Sequence, residues 1–159
     1  MQRVLALVGL IAIGFVAVIG AMIGIGIYVG LPQIEEAETY STRFLEEYGE
    51  DWDIAVLQAH ATEELLEAAP NLDEVTIFFQ TQFGPLQSIE ELSCPNFNFE
   101  TRTQEGQVML ARCGGEATFA QRRAALDIIV RKQAGEWGVM RFYLNAIPER
   151  RESPEERAV

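Results

Sequence analysis

The chain has 159 residues, 48% of them apolar, with 24 acidic side chains against 12 basic ones and a net charge of −12. That balance excludes nucleic acid as a partner, because phosphate binding needs a basic face that releases counterions, and it disfavours tight docking onto anionic lipid headgroups. One histidine and two cysteines lack the spacing of a zinc site, the acids form no calcium-loop pattern, and Gly114-Gly115 reads as a strand bend rather than a phosphate cradle, so neither metal nor cofactor is expected.

Val4–Leu31 contains no Asp, Glu, Lys, Arg, His, Asn or Gln and is closed by Pro32. About twenty such residues, at about 1.5 Å rise each, already cross a hydrocarbon core of roughly 30 Å. The run is nearly twice the length of a cleaved signal core, about 7–15 residues, and holds no clean small-residue cleavage site. It is therefore read as a permanent, single-pass anchor. Arg3 and the terminal amine precede it, whereas Glu35, Glu36 and Glu38 follow it and the first basic residue beyond is Arg43. Flanking charge of this kind keeps the N-terminus in the cytoplasm and sends the remainder out of it. The resulting organisation is a cytoplasmic stub (1–3), an inner-membrane helix (4–31), an extracytoplasmic or periplasmic domain (33–147) and a mobile charged tail (148–159). Within the anchor, Ala17, Gly20, Ala21 and Gly24 share one helical face that would let another helix approach closely; the competing explanation is the general abundance of glycine in membrane helices.

After Pro32, Ile34, Ala37, Tyr40, Phe44, Leu45 and Tyr48 recur at three- and four-residue spacing, which predicts an amphipathic helix over 33–48 with Gly49 as its stop. Asp51 is placed to cap a second helix over 52–68, ended by Pro70, and Asn71 to cap a third over 72–83, broken by Gly84-Pro85. From Leu86 the period becomes alternating. Ser88–Cys94 is a first strand, and Phe97–Thr103 with Gln107–Phe119 form a hairpin around Gln104-Glu105-Gly106. Leu126, Ile128 and Val130 alternate on one long strand and Met140, Phe142 and Leu144 on the next. If both triplets face the core, Leu126 opposes Leu144 and Val130 opposes Met140, which requires an odd-numbered loop such as Ala134–Glu136. The fold class is α+β, with about three helices packed on a curved antiparallel sheet of about four strands.

Three stretches carry a resemblance: Phe83-Gly84-Pro85-Leu86 followed by Gln87-Ser88-Ile89, the strand Ala117–Lys132, and Ala134-Gly135-Glu136-Trp137-Gly138-Val139 leading into Phe142-Tyr143-Leu144-Asn145. Together with the element order, these make residues 33–147 similar to the nuclear-transport-factor-2-like (cystatin-like) α+β roll, as found in small bacterial members of that superfamily. The resemblance implies a sheet wrapped around helices, often leaving a cone-shaped pocket, and roles from isomerase or dehydratase to adaptor. Fold alone does not choose among them.

His60 is the only histidine, and a general base would need a carboxylate partner and a pocket. Asp127 and Tyr143 match by type the Asp or His with Tyr that the resemblance implies for a catalytic cone, yet alternation puts both on the face away from Leu126 and Phe142. Cys94 and Cys113 lie on neighbouring strands and, outside the cytoplasm, are expected to form a disulfide if a bulge at Pro95 or Gly114 brings them opposite; free buried thiols are the alternative. The expected role is a non-catalytic domain that binds a protein partner or a small apolar ligand. The alternatives are an isomerase- or hydrolase-type enzyme using His60, Asp127, Tyr40 or Tyr143, and an accessory subunit or assembly factor of a membrane complex that packs through the Ala17–Gly24 face, a face that could also pair two copies of the chain.

Overall fold

The computed structural model describes residues 32–102 and 106–148. The expected membrane helix, its small-residue face, the loop at 103–105 and most of the tail lie outside those residues. Among the described residues, no helix is long and apolar enough to cross a membrane. The chain divides into two units between Glu36 and Ala37, and the packing described below is that of the second.

Residues 32–51 are helical (α1). The three-and-four spacing does what it predicts: Ala37, Ser41, Phe44, Leu45 and Tyr48 are buried. Gly49 does not stop the helix, which continues to residue 51 and ends where Trp52 takes a left-handed conformation with φ 57°. A bulky residue there is strained by about 1–2 kcal/mol. Trp52 is held there by tertiary contacts: its ring is buried, its Nε1–H donates to the Gly84 carbonyl at 2.8 Å, and it lies against Tyr48 and Phe119 at centroid distances of 5.1 and 5.6 Å.

The single second helix expected over 52–68 is instead two, α2 (Ile54–His60) and α3 (Glu63–Ala68). Asp53, not Asp51, caps α2 by accepting from the Ala55 N–H at 2.8 Å. The break at Ala61-Thr62 has a tertiary cause. Ala61 bridges in parallel to Val139 and the Thr62 N–H donates to the Val139 carbonyl at 2.9 Å, so the segment is extended against a sheet edge. Thr62 then caps α3, its hydroxyl accepting from the Leu65 N–H, with Glu63 and Glu64 in the favourable first turn. The fourth helix, α4 (Leu72–Phe83), buries Leu72, Thr76, Phe79 and Phe83; Asn71 precedes it without a side-chain cap bond. Gly84 ends it at φ 68° and ψ −174°, a backbone region open only to glycine.

Four antiparallel strands follow as a meander in the order β1 (Leu86–Arg102), β2 (Gly106–Phe119), β3 (Arg123–Gln133) and β4 (Glu136–Ala146). The two short strands expected at 88–94 and 97–103 are one strand, interrupted by register shifts after Leu86, Ile89 and Ser93. These bulges bend the strand without ending it. The β3–β4 hairpin corrects a second expectation. Its turn is the two-residue Ala134-Gly135, both at positive φ (52° and 90°), and Gln133 faces Glu136. That turn matches the strands' right-handed twist. Leu126 still opposes Leu144 and Ile128 opposes Phe142, because one extra residue, Met140, is accommodated between Val139 and Arg141. Val130 therefore faces Val139, not Met140.

Ala124, Leu126, Ile128 and Val130 form the buried row of β3 and meet Ala117, Gly115, Cys113 and Ala111 of β2. Over this face lies a continuous set of rings. Phe142 of β4 meets Phe44, Tyr48 and Phe79 edge-on at 5.7, 5.9 and 5.7 Å, and Phe119 of β2 meets Phe83 at 5.6 Å. The Tyr48 hydroxyl shares a 2.8 Å hydrogen bond with Thr76, which satisfies the polar tip inside this apolar layer. Helices and sheet thus meet across this layer of rings.

Candidate functional site

Tyr40 and Glu47 stand seven residues apart on α1, and His60 is the last residue of α2. The His60 side chain, 16% exposed, sits between them: the Tyr40 hydroxyl is 2.9 Å from Nδ1 and Glu47 Oε2 is 3.2 Å from Nε2. A carboxylate can only accept, so Nε2 carries the proton that faces Glu47. In the neutral ring Nδ1 then accepts from the Tyr40 O–H. Phe44 and Tyr40 each place a ring centroid 5.5 Å from the imidazole, Trp137 stacks on Tyr40 at 6.3 Å, and the Lys132 ammonium lies 5.4 Å from the Trp137 centroid. Burial pushes the Tyr40 phenol up to about 12, opposed by nearby Arg43 and assisted by Glu47. Tyr40 is therefore a neutral donor at ordinary pH. Both imidazole nitrogens are engaged, so the trio ties α1 to α2.

Asp127 and Tyr143 are cross-strand partners on β3 and β4, on the sheet face opposite the buried row. Arg112 grips the Asp127 carboxylate with Nε and Nη2 at 2.8 and 2.6 Å, and this fork holds the carboxyl below its usual range despite partial burial. Tyr143 is 54% exposed. The four candidates for a catalytic pocket thus fall into two separate pairs, Tyr40 with His60 and Asp127 with Tyr143. Among the described residues, no group of three or more His, Cys, Asp and Glu side chains is arranged to hold a metal ion.

Cys94 and Cys113 are joined in a disulfide, with Cα atoms 3.9 Å apart. Register explains how. Ser93 faces Gly114 and Asn96 faces Arg112, so Cys94 and Pro95 together oppose the single residue Cys113. The bridge is pinned to α1 from two sides: Glu38 Oε1 accepts from the Cys94 N–H at 3.0 Å, and the Ser41 hydroxyl lies 3.4 Å from the Cys113 sulfur.

Among the described residues, an apolar space open to a ligand lies between α3, α4 and the edge strand β4. It is a cleft of about 490 Å³ whose apolar walls include Leu57, Leu65, Leu72, Val75, Phe79 and Met140. Its position follows from the Ala61-Thr62 segment, which pairs with β4 at Val139 and sets α3 at a distance from the strand's later residues. Gly138 permits that approach, since a Cβ there would meet the Thr62 methyl at 2.8 Å. Glu64 at the border of the cleft pairs with Arg131; burial raises its carboxyl, but its own backbone N–H, Arg131 and Thr62 outweigh burial and hold it below the usual value. The cleft is lined by Tyr143 but by neither His60 nor Asp127.

Sequence reasoning singled out His60 but missed Glu47 as its partner, although Tyr40 and Glu47 are two helical turns apart on one face. It missed Arg112 and the cleft altogether, because both depend on register and on the break at Ala61. Comparison with known proteins leaves the chain without a recognised relative: no family model, no curated protein and no solved structure matches it.

Proposed function

We propose that this chain is a membrane-anchored, extracytoplasmic binding domain without catalysis of its own, which takes an apolar group into the cleft between α3, α4 and β4. The group is a small apolar ligand or the apolar side chain of a protein partner. The observation that carries this reading is the cleft itself: about 490 Å³ walled by Leu57, Leu65, Leu72, Val75, Phe79 and Met140. The apolar walls favour an apolar guest through burial, with Glu64, Arg141 and Tyr143 as the polar groups of the lining. Helices followed by a four-stranded antiparallel meander support an affinity with the nuclear-transport-factor-2-like roll. The charge-free run Val4–Leu31, its flanking charges and the Cys94–Cys113 bridge support anchorage with the domain in an oxidising compartment.

Titrating the full-length, methyl-labelled protein with toluene tests the cleft. Saturable shifts confined to Leu65, Leu72, Val75 and Met140 methyls are expected, and Val75→Trp, which fills the space, should abolish them. Shifts absent from those methyls, or unaltered by Val75→Trp, refute the assignment. Protease added outside intact spheroplasts should digest the domain; complete protection would refute its orientation.

The contact between Tyr40 and His60 favours a second reading, an isomerase- or hydrolase-type enzyme. Turnover of any substrate that is lost in both His60→Ala and Tyr40→Phe, with the fold retained, would establish it over the first.

A further inference from the structure

Register sets Asn96, Arg112, Ile129 and Arg141 in one row across all four strands. The row crosses the face opposite the buried core, and it borders a shallow concavity of about 690 Å³ that also takes in Leu110 and Met140. Neighbouring strands lie about 4.8 Å apart, so the backbones of Arg112 and Arg141 are roughly 10 Å from each other, a gap two extended side chains close over Ile129. The bulge in β4 makes this arrangement: the extra residue lets Met140 and Arg141, consecutive in the chain, both border the concavity.

Among the described side chains this face carries four arginines, and three are committed to acids: Arg112 to Asp127, Arg123 to Glu90 and Glu116, Arg131 to Glu64. Arg141 has no ion pair among the described residues. In a chain of net charge −12, an exposed and uncompensated guanidinium beside a second one is a local reversal of sign. Asp127 also does more than neutralise Arg112. By engaging Nε and Nη2 it fixes the guanidinium plane, and a guanidinium has five donors, so others remain for a second acceptor.

We propose that this concavity binds a small organic anion with an apolar chain, a carboxylate or a phosphate ester. Its anionic oxygens lie between Arg112 and Arg141 and its chain over Ile129, Leu110 and Met140. The site adjoins the apolar cleft and shares Met140 and Arg141 with it, but a neutral guest suits the one and a charged guest the other.

Calorimetric titration of the full-length protein with hexanoate and, separately, hexyl phosphate tests the proposal, with hexanol and hexylammonium as controls. At least one anion should bind saturably and neither control should. A preference for hexanoate marks a carboxylate site and a preference for hexyl phosphate a phosphate-ester site. Arg141→Gln, at an exposed position, should keep the thermal midpoint and weaken the anion about tenfold or more, the scale of losing a charge-assisted fork. Arg112→Gln should weaken it similarly and serves as the second variant. Failure of both anions to bind, equal binding of hexanol, or an affinity indifferent to both substitutions overturns the proposal.

Discussion

Reducing the Cys94–Cys113 bridge should destabilise the domain without dismantling it. The bridge joins residues 19 apart in sequence, and closing a loop of that size removes about 11 cal/mol/K from the unfolded chain, or about 3 kcal/mol at room temperature. For a domain of about 115 residues the unfolding entropy is about 0.24 kcal/mol/K, so the thermal midpoint should fall by about 12 °C. The strands themselves should stay paired, because β1 and β2 share register on both sides of the bridge, from Leu86 with Phe119 to Arg102 with Gly106. Urea unfolding of the oxidised protein, the reduced protein and a Cys94→Ala/Cys113→Ala variant separates the contributions. Reduction reports the loop term alone, and the double alanine adds the loss of two buried sulfurs against Ser41 and α1. Oxidised and reduced proteins with midpoints equivalent to less than about 1 kcal/mol would refute the loop-closure reasoning.

The Tyr40 phenol, pushed up to about 12 from an ordinary 10.0 mainly by burial, should show this late ionisation in an ultraviolet titration, and Tyr40→Phe should remove that step. Because its folded value is raised, its contribution is intact below about pH 10 and lost as pH climbs through 12; two units would be about 2.7 kcal/mol, reduced to about 1–2 for a half-buried ring. Flat stability over that range would contradict it. Gly115→Ala should cost about 3 kcal/mol or more, since the new methyl would stand 1.7 Å from the Glu91 carbonyl oxygen and only backbone movement of β1 relieves it; denaturant midpoints decide. His60→Ala should cost about 2 kcal/mol by unpairing Tyr40 and opening space beside Phe44, whereas Asp127→Asn, on the solvated face, should cost about 1 kcal/mol or less. The Asp127 contribution is present above the ordinary carboxylate range and lost as pH falls through its depressed folded value, so an acid unfolding curve of Asp127→Asn should lack that increment.

Periodicity carried the fold a long way. The three-and-four spacing from Ala37 to Tyr48 names the buried face of α1, and the alternation of Leu126, Ile128 and Val130 names the buried row of β3. Both patterns are local consequences of which side chains must leave water. The sites were less legible. His60 is conspicuous as the only histidine, but its partner Glu47 is one of 24 acids, and nothing in a sequence distinguishes it from the rest. Asp127 was correctly set on the outer face by alternation, yet the fork from Arg112 depends on the β2–β3 register.

By itself, then, the sequence determined the charge-free run at the N-terminus, the change from helical to alternating period near Leu86, and the residues that form the core, because each follows from short-range spacing. It also implied that a disulfide would need a bulge at Pro95 or Gly114, and the register places it at Pro95. Only the tertiary structure decided the break at Ala61-Thr62, the two-residue turn at Ala134-Gly135 and the displaced Met140. Each of these is settled between segments distant in the chain, through the bond from Thr62 to Val139 and the pairing of Val130 with Val139. Those long-range bonds open the cleft and set Arg141 beside Ile129, so the surfaces available for binding arise from contacts that local spacing does not encode.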